Sequence, residues 1–200
     1  ITNHHCSFGM IQAHSSLEHN YLRDGFWAQS MADELVNPKI TASILVRMED
    51  VTDKINAGLN AGMSESERTK KVNEICRKLE AEAVKGTNLA ANIKPYFNGN
   101  QYFLSVFKIF RDVRLVGAPN SAIGKFGGDT DNWTWPRHTG DFSVLRIYAG
   151  PDNEPAAISD KNVPYKPAKF FKISARGVQE GDFTMVFGYP GTTNEYLTSY

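Results

Sequence analysis

The chain has 200 residues, 41% hydrophobic, 12% aromatic and 22% charged, a composition that excludes intrinsic disorder and suffices for one substantial core or two small ones. Its 22 basic and 22 acidic residues balance, and no Lys/Arg block concentrates charge locally, which argues against nucleic acid or an anionic membrane surface as partner. No apolar stretch is long enough to span a bilayer, and no charged-then-apolar leader opens the chain.

Ile1 is not an initiator methionine, and the first residues read as the interior of a strand, so the expectation is a segment of a longer polypeptide. At the end of that strand stands Thr2-Asn3-His4-His5-Cys6. An imidazole there is a candidate general base, and the adjacent cysteine could pin the turn. The pair reads equally as surface histidines, or as one core histidine bonded to backbone. With only Cys6 and Cys76, lacking metal-type spacing, the chain is no disulfide scaffold.

Further on, Ile40, Ala42, Ile44, Val46 and Met48 alternate with Thr41, Ser43, Leu45 and Arg47, the period of a strand with one buried face. Ser64 with Glu67 forms a capping box. Val72, Ile75, Cys76, Leu79 and Ala83 then recur at helical spacing until Gly86, so residues 64–86 read as a helix inserted between strands. Its outer face pairs Lys70 with Glu74, Glu74 with Lys78 and Lys78 with Glu82 at four-residue spacing. Asn92 to Phe97 and Gln101 to Arg111 flank Asn98-Gly99-Asn100, the strongest hairpin signal in the chain. Apolar runs at Val113 to Val116, Phe142 to Tyr148, Phe170 to Ile173 and Phe183 to Phe187 are each bounded by Gly or Pro. Many short strands joined by turns imply an antiparallel barrel or sandwich.

Asp141 stands at the head of the Phe142 strand, where a carboxylate is costly to bury unless a cationic or protonated group meets it. A histidine is the obvious partner. In a Ser-His-Asp site the carboxylate accepts the Nδ1 proton of the base and so fixes its tautomer, and one such chain order is His, then Asp, then the nucleophile.

The segments Asn3-His4-His5-Cys6, His14-Ser15-Ser16-Leu17-Glu18-His19-Asn20-Tyr21, Asp24-Gly25-Phe26-Trp27-Ala28, 124–133 (GKFGGDTDNW), 135–142 (WPRHTGDF) and 188–193 (GYPGTT) resemble the bacterial dipeptidyl-peptidases typified by dipeptidyl-peptidases 7 and 11. The likeness runs from end to end. It implies a mainly β, chymotrypsin-like antiparallel barrel, one barrel of a double-barrel serine exopeptidase. Residues 1–200 would be part of the catalytic domain, with the second barrel and a large helical domain elsewhere in the polypeptide.

By the same resemblance His5 matches the catalytic base and Asp141 the triad carboxylate. Asn132 and Trp133 match positions that hold the free amine of an oligopeptide substrate; an amide oxygen accepts its hydrogen bonds and an indole face attracts its charge. Without the resemblance, the Trp-rich stretch reads as readily as a surface loop. Arg137 reads as a brace for that loop, on Asp129 or Asp131, and His138 has no assigned role. The family's nucleophile lies in a Gly-x-Ser-Gly type motif that does not occur in these 200 residues, and Ser7, Ser15, Ser16 and Ser143 lack such a turn. Cys6 would pair with a cysteine preceding Ile1, whereas Cys76 reads as a core residue. The resemblance further implies a homodimer in the periplasm or at the cell surface of a Gram-negative bacterium, with no metal or organic cofactor. Glu195 departs from the basic residue expected there.

Three other readings compete. A metallohydrolase is disfavoured because His14 and His19 are five apart, about 140° around a helix, whereas helical zinc motifs place histidines four apart. A noncatalytic barrel module draws on the missing nucleophile. A chymotrypsin-like endopeptidase would need no amine anchor. The choice of side chain at the cleavage point is not legible.

Overall fold

The elements follow from a few local signals in a computed structural model that describes residues 1–126 and 139–185. The chain divides into a larger unit, Ile1–Lys166, and a smaller one, Pro167–Tyr200. The larger unit opens with helix α1 (His4–His14), the one-turn α2 (Tyr21–Asp24) and the short strands β1 (Phe26–Trp27) and β2 (Leu35–Val36). β3 (Ala42–Asp50) leads into α3 (Thr52–Asn56) and the long α4 (Glu65–Ala83). Then come β4 (Ala90–Tyr96), β5 (Gln101–Phe110), β6 (Asp112–Ala118), the short helix α5 (Ser121–Gly124), β7 (Val144–Ala149) and β8 (Val163–Pro164).

Two antiparallel sheets result. One has the order β3-β5-β4; the other runs β1-β6-β7-β8, with β2 also on β6. The expected helix is α4, with its capping box formed: Glu67 N–H donates to the Ser64 hydroxyl at 3.3 Å, and Ser64 N–H to the Glu67 carboxylate at 2.9 Å. Val72, Ile75, Cys76 and Leu79 pack on Val51 and Ile55, at the start of and within α3, and on Tyr102, Leu104 and Val106, alternate residues of β5. Full burial of a side chain such as Ile55 or Val106 contributes about 1.5–3 kcal/mol. Cys76 is therefore partly buried on the core, as its spacing predicts. Of the outer face, Lys71 rather than Lys70 reaches Glu74, at 3.0 Å.

Arg111 alone separates β5 from β6, so the backbone passes almost without break from one sheet to the other. At that corner Phe110 is fully buried, its ring 4.7 Å from that of Tyr165. The second sheet packs Leu115, Ala118, Leu35 and Leu145 against Ile11 of α1, which fixes α1 over β6 and β7. A buried polar network stiffens it. Asp112 takes two 2.9 Å bonds from Arg114 and one from Asn162, the guanidinium lies 3.9 Å from the centre of the Tyr148 ring, and Tyr148 donates to Glu34 at 2.9 Å. Burial opposes ionisation of Asp112, but the bonds from Arg114 and Asn162 outweigh it and hold the carboxyl below its ordinary value.

Several expectations need correction, and the hairpin is met. The chain does not open in a strand: Thr2 forms a single bridge to Ser143, and α1 begins two residues later. The strand read at 40–48 is β3, displaced by two residues, and a bulge between Leu45 and Arg47 breaks its alternation, leaving Val46 and Met48 about half exposed. The expected hairpin does form, with Asn98 and Gly99 taking the positive φ values that the Asn-Gly pair predicts, within a short 3₁₀ turn, Phe97–Gly99. Phe170 to Ile173 is not a strand; in the smaller unit the described residues 167–185 have no regular element, because β propensity gives no ladder without a partner strand. Phe183 to Phe187 has no strand over 183–185, and its remainder lies outside the described residues. Among the described residues no helix is long and apolar enough to cross a membrane.

Candidate active site

The site is built at the first turn of α1. Its sequence, HHCSFGMIQAH, has an interior glycine, and its strong helix formers Met10, Gln12 and Ala13 all lie in the second half, so tertiary contact must hold the first turn. His4, Ser7 and Ile11, spaced three and four apart, form its buried face. His5, one position round from His4, therefore points away from the core. The N-cap Asn3 is extended and makes no side-chain cap, so the cap comes from across the chain. Asp141 accepts the His5 backbone N–H at 3.0 Å on Oδ1, and the His5 imidazole Nδ1 lies 2.6 Å from Oδ2. The amide of Asn3 adds 3.3 Å bonds to the Asp141 carboxylate and carbonyl.

This one carboxylate thus caps a helix, complements its positive end and orients an imidazole. An ionised carboxylate only accepts, so Nδ1 carries the proton and Nε2 is left as the ring's basic nitrogen. Burial raises the cost of ionising Asp141, yet the His5 N–H, the His5 imidazole and the Asn3 amide prevail and keep its carboxyl below the ordinary value. Exposure divides accordingly: 12% for the Asp141 side chain, 57% for that of His5. A shielded carboxylate behind an accessible imidazole is the arrangement of a general base ready to take a proton from solvent or from a bound group.

Ser143 fixes the distance between the two strands of chain. Its backbone exchanges bonds of 3.0 and 2.7 Å with Thr2. Its hydroxyl, buried 2.5 Å from that of Ser7, donates to the Asn3 carbonyl at 3.3 Å, which leaves Ser7 to donate to Ser143. Both hydroxyls are occupied structurally, in keeping with the absence of a nucleophile motif around them. Asn3, Ser7 and Ser143 are site-building residues for which the sequence points to no role: the polar type of Ser7 conceals its helical spacing with His4 and Ile11, and Asn3 and Ser143 carry no local signal of their contacts across the chain.

Asn132, Trp133, Arg137 and His138 lie outside the described residues, as do the Asp129, Asp131 and Glu195 singled out with them. His14 is the last residue of α1 and its Nε2 lies 3.1 Å from Asn37 Oδ1, while His19 sits beyond the helix, stacked on Tyr21. Among the described residues no three His, Cys, Asp or Glu side chains gather as a metal site. Cys6 is exposed and unbridged within this chain.

The chain is similar to known proteins along its length. All of the chain is 53% identical, over 199 residues, to 28% of the Asp/Glu-specific dipeptidyl-peptidase of Capnocytophaga gingivalis. It is 48% identical over 200 residues to dipeptidyl-peptidase 7 of Porphyromonas gingivalis, again all of this chain and 28% of that protein. Among solved structures, Porphyromonas endodontalis DPP11 in an alternate conformation superposes with a TM-score of 0.80 at 47% identity, covering 90% of this chain and 28% of that one. The same protein in complex with the dipeptide Arg-Glu gives 0.76 at 46% identity, covering 90% and 27%. The chain thus spans little more than a quarter of these relatives. Its curled antiparallel sheets, with few helices, fit the mainly β, chymotrypsin-like class that the sequence implies. Residues 1–200 match Peptidase S46 throughout, and the chain belongs to that family.

Proposed function

We propose that this chain supplies the base and the carboxylate of a Ser-His-Asp peptidase that releases dipeptides from the free amino terminus of peptides. The observation that carries the reading is the 2.6 Å contact between His5 Nδ1 and Asp141, with the imidazole accessible on its other side. His5 takes the proton of a serine hydroxyl supplied by another part of the polypeptide, and Asp141 holds the ring and stabilises the imidazolium. The serine adds to the scissile carbonyl, His5 returns the proton to the leaving amine, and water then cleaves the acyl-enzyme with His5 again as base. Asn132 and Trp133 hold the substrate's protonated amine, so that cleavage falls after the second residue. The chemistry calls for no metal or organic cofactor.

In this reading residues 1–200 belong to the first of two barrels, with α4 as its small helical insertion. The second barrel and a larger helical domain lie elsewhere in a polypeptide that dimerises in the periplasm or at the cell surface. Relatives named Asp/Glu-specific match this segment at 53%, 52%, 49% and 47% identity and relatives named dipeptidyl-peptidase 7 at 49%, 48%, 48% and 46%, so the two ranges overlap. In this reading the residues that select the side chain at the cleavage point lie elsewhere in the polypeptide.

In the full-length enzyme, His5→Ala is expected to lower turnover of a dipeptidyl chromogenic substrate by about 10³-fold or more. Near-normal turnover refutes the assignment. Cleavage of amino-blocked peptides by the parent would replace the exopeptidase reading with an endopeptidase one.

A further inference from the structure

Directly beside the proposed base is a second histidine that the mechanism does not use. His4 is fully buried at the first turn of α1; the Pro119 backbone faces its ring, but neither ring nitrogen closes a hydrogen bond of normal geometry among the described residues. Its ring lies against the backbone of Gly124, the last residue of α5: a Cβ there would overlap ring atoms Cγ and Cδ2 and come within 2.9 Å of His4 Cβ. Phe8, one turn along α1, meets the ring edge-on at 6.5 Å between centroids. On the other side of the contact, α5 is itself fixed, since the Asn120 side chain accepts the Ile123 N–H at 3.1 Å and the Ile123 carbonyl receives Gly140 N–H and the Thr139 hydroxyl. Thr139 and Gly140 lead straight into Asp141.

The geometry points to His4 as a positioning residue for the His5–Asp141 pair. Its flat ring, wedged between the first turn of α1 and the α5 turn that anchors the approach to Asp141, sets how far the base stands from its carboxylate. The Ser7–Ser143 pair and the Thr2–Ser143 bridge hold the same distance from the other side, and His4 closes the triangle. This makes glycine a requirement at 124 for steric rather than conformational reasons. It also requires the wedge to be uncharged. Burial drives the His4 imidazole below its ordinary value of 6.5, against Asp141 and the Pro119 carbonyl, which favour the charged form, while His5 and Lys125 disfavour it. The inference rests on the reading of His5 as base and goes beyond it by naming what holds that base in place.

The test is a double-mutant cycle in the full-length enzyme, with kcat and KM measured for a dipeptidyl substrate and melting followed by circular dichroism. His4→Ala removes the wedge and Gly124→Ala displaces it, so each is expected to lower kcat about 10- to 100-fold, the cost of a misplacement near 1 Å, with KM unchanged within about twofold. In His4→Ala/Gly124→Ala the new methyl occupies part of the vacated space, so kcat should be no lower than in the worse single variant. Losses that multiply in the double variant, or a kcat within about threefold of the parent in folded His4→Ala, overturn the proposal. Should His4→Ala melt below the assay temperature, Gly124→Ala alone decides, and an unchanged kcat there overturns it equally. His5→Ala in the same assay separates the two levels. Activity without His5 removes the base assignment itself, whereas loss with His5→Ala and none with the His4 and Gly124 variants removes only the positioning role.

Discussion

Asp141→Asn separates the two duties of the carboxylate. An asparagine oxygen can still accept the His5 backbone N–H, so the helix cap survives, but its NH₂ faces Nδ1 and cannot accept the imidazole proton. The stability cost is that of weakening one capped helix end, about 1 kcal/mol, which lowers the melting temperature of a unit this size by about 2–4 °C. The catalytic cost is far larger. With the ring turned into the wrong tautomer, Nε2 carries the proton and the base is disabled, a change worth about 10⁴-fold in turnover, or about 5 kcal/mol of transition-state energy. The assay is steady-state hydrolysis of a dipeptidyl chromogenic substrate by the full-length enzyme, paired with a melting curve of the same preparation. Turnover within about tenfold of the parent refutes the orientation argument. A collapse of melting that matches the loss of activity refutes the claim that capping and catalysis are separable.

Two further outcomes follow from the buried charges. Asp112→Ala strands the Arg114 guanidinium, whose side chain is only 11% exposed, and is expected to cost about 3–5 kcal/mol in denaturant unfolding. Replacing both residues with apolar ones should cost less than the single change, and strictly additive losses would refute the pairing. Acidification should act in two windows. A histidine held below its ordinary value binds more protons unfolded than folded, so the contribution of His4 is complete above about pH 6.5 and declines as pH falls below it; that of Asp141 is complete above about pH 3.8 and declines lower still. Melting of the parent relative to His4→Asn should therefore decline between pH 7 and 5, and a difference independent of pH would contradict the buried neutral imidazole.

The parts of the fold legible in sequence are those where one local signal decides the outcome. Ser64 and Glu67 set the start of α4, its stripe from Val72 to Ala83 meets the β5 face as the spacing demands, and Asn98-Gly99 marks the β4–β5 turn. β3 is only half legible, because a bulge at one residue moves every later side chain to the other face and no composition announces it. Phe170 to Ile173 shows the converse, a strand-like composition with no ladder.

α1 failed for a physical reason that bears on function. Its buried positions are His4, Ser7 and Ile11, and two of the three are polar, so a search for apolar periodicity passes over a helix whose inner face bonds to Ser143 and wedges against Gly124. The same polar residues bring His5 to Asp141. A leucine at position 4 or 7 would make the helix visible in the sequence but would deprive Ser143 of its hydroxyl partner or overfill the space beside Gly124. Illegibility of the element and assembly of the His5–Asp141 pair thus have one cause: the inner face of the first turn of α1 is packed with polar side chains, and its helical geometry is secured by a carboxylate 136 positions away.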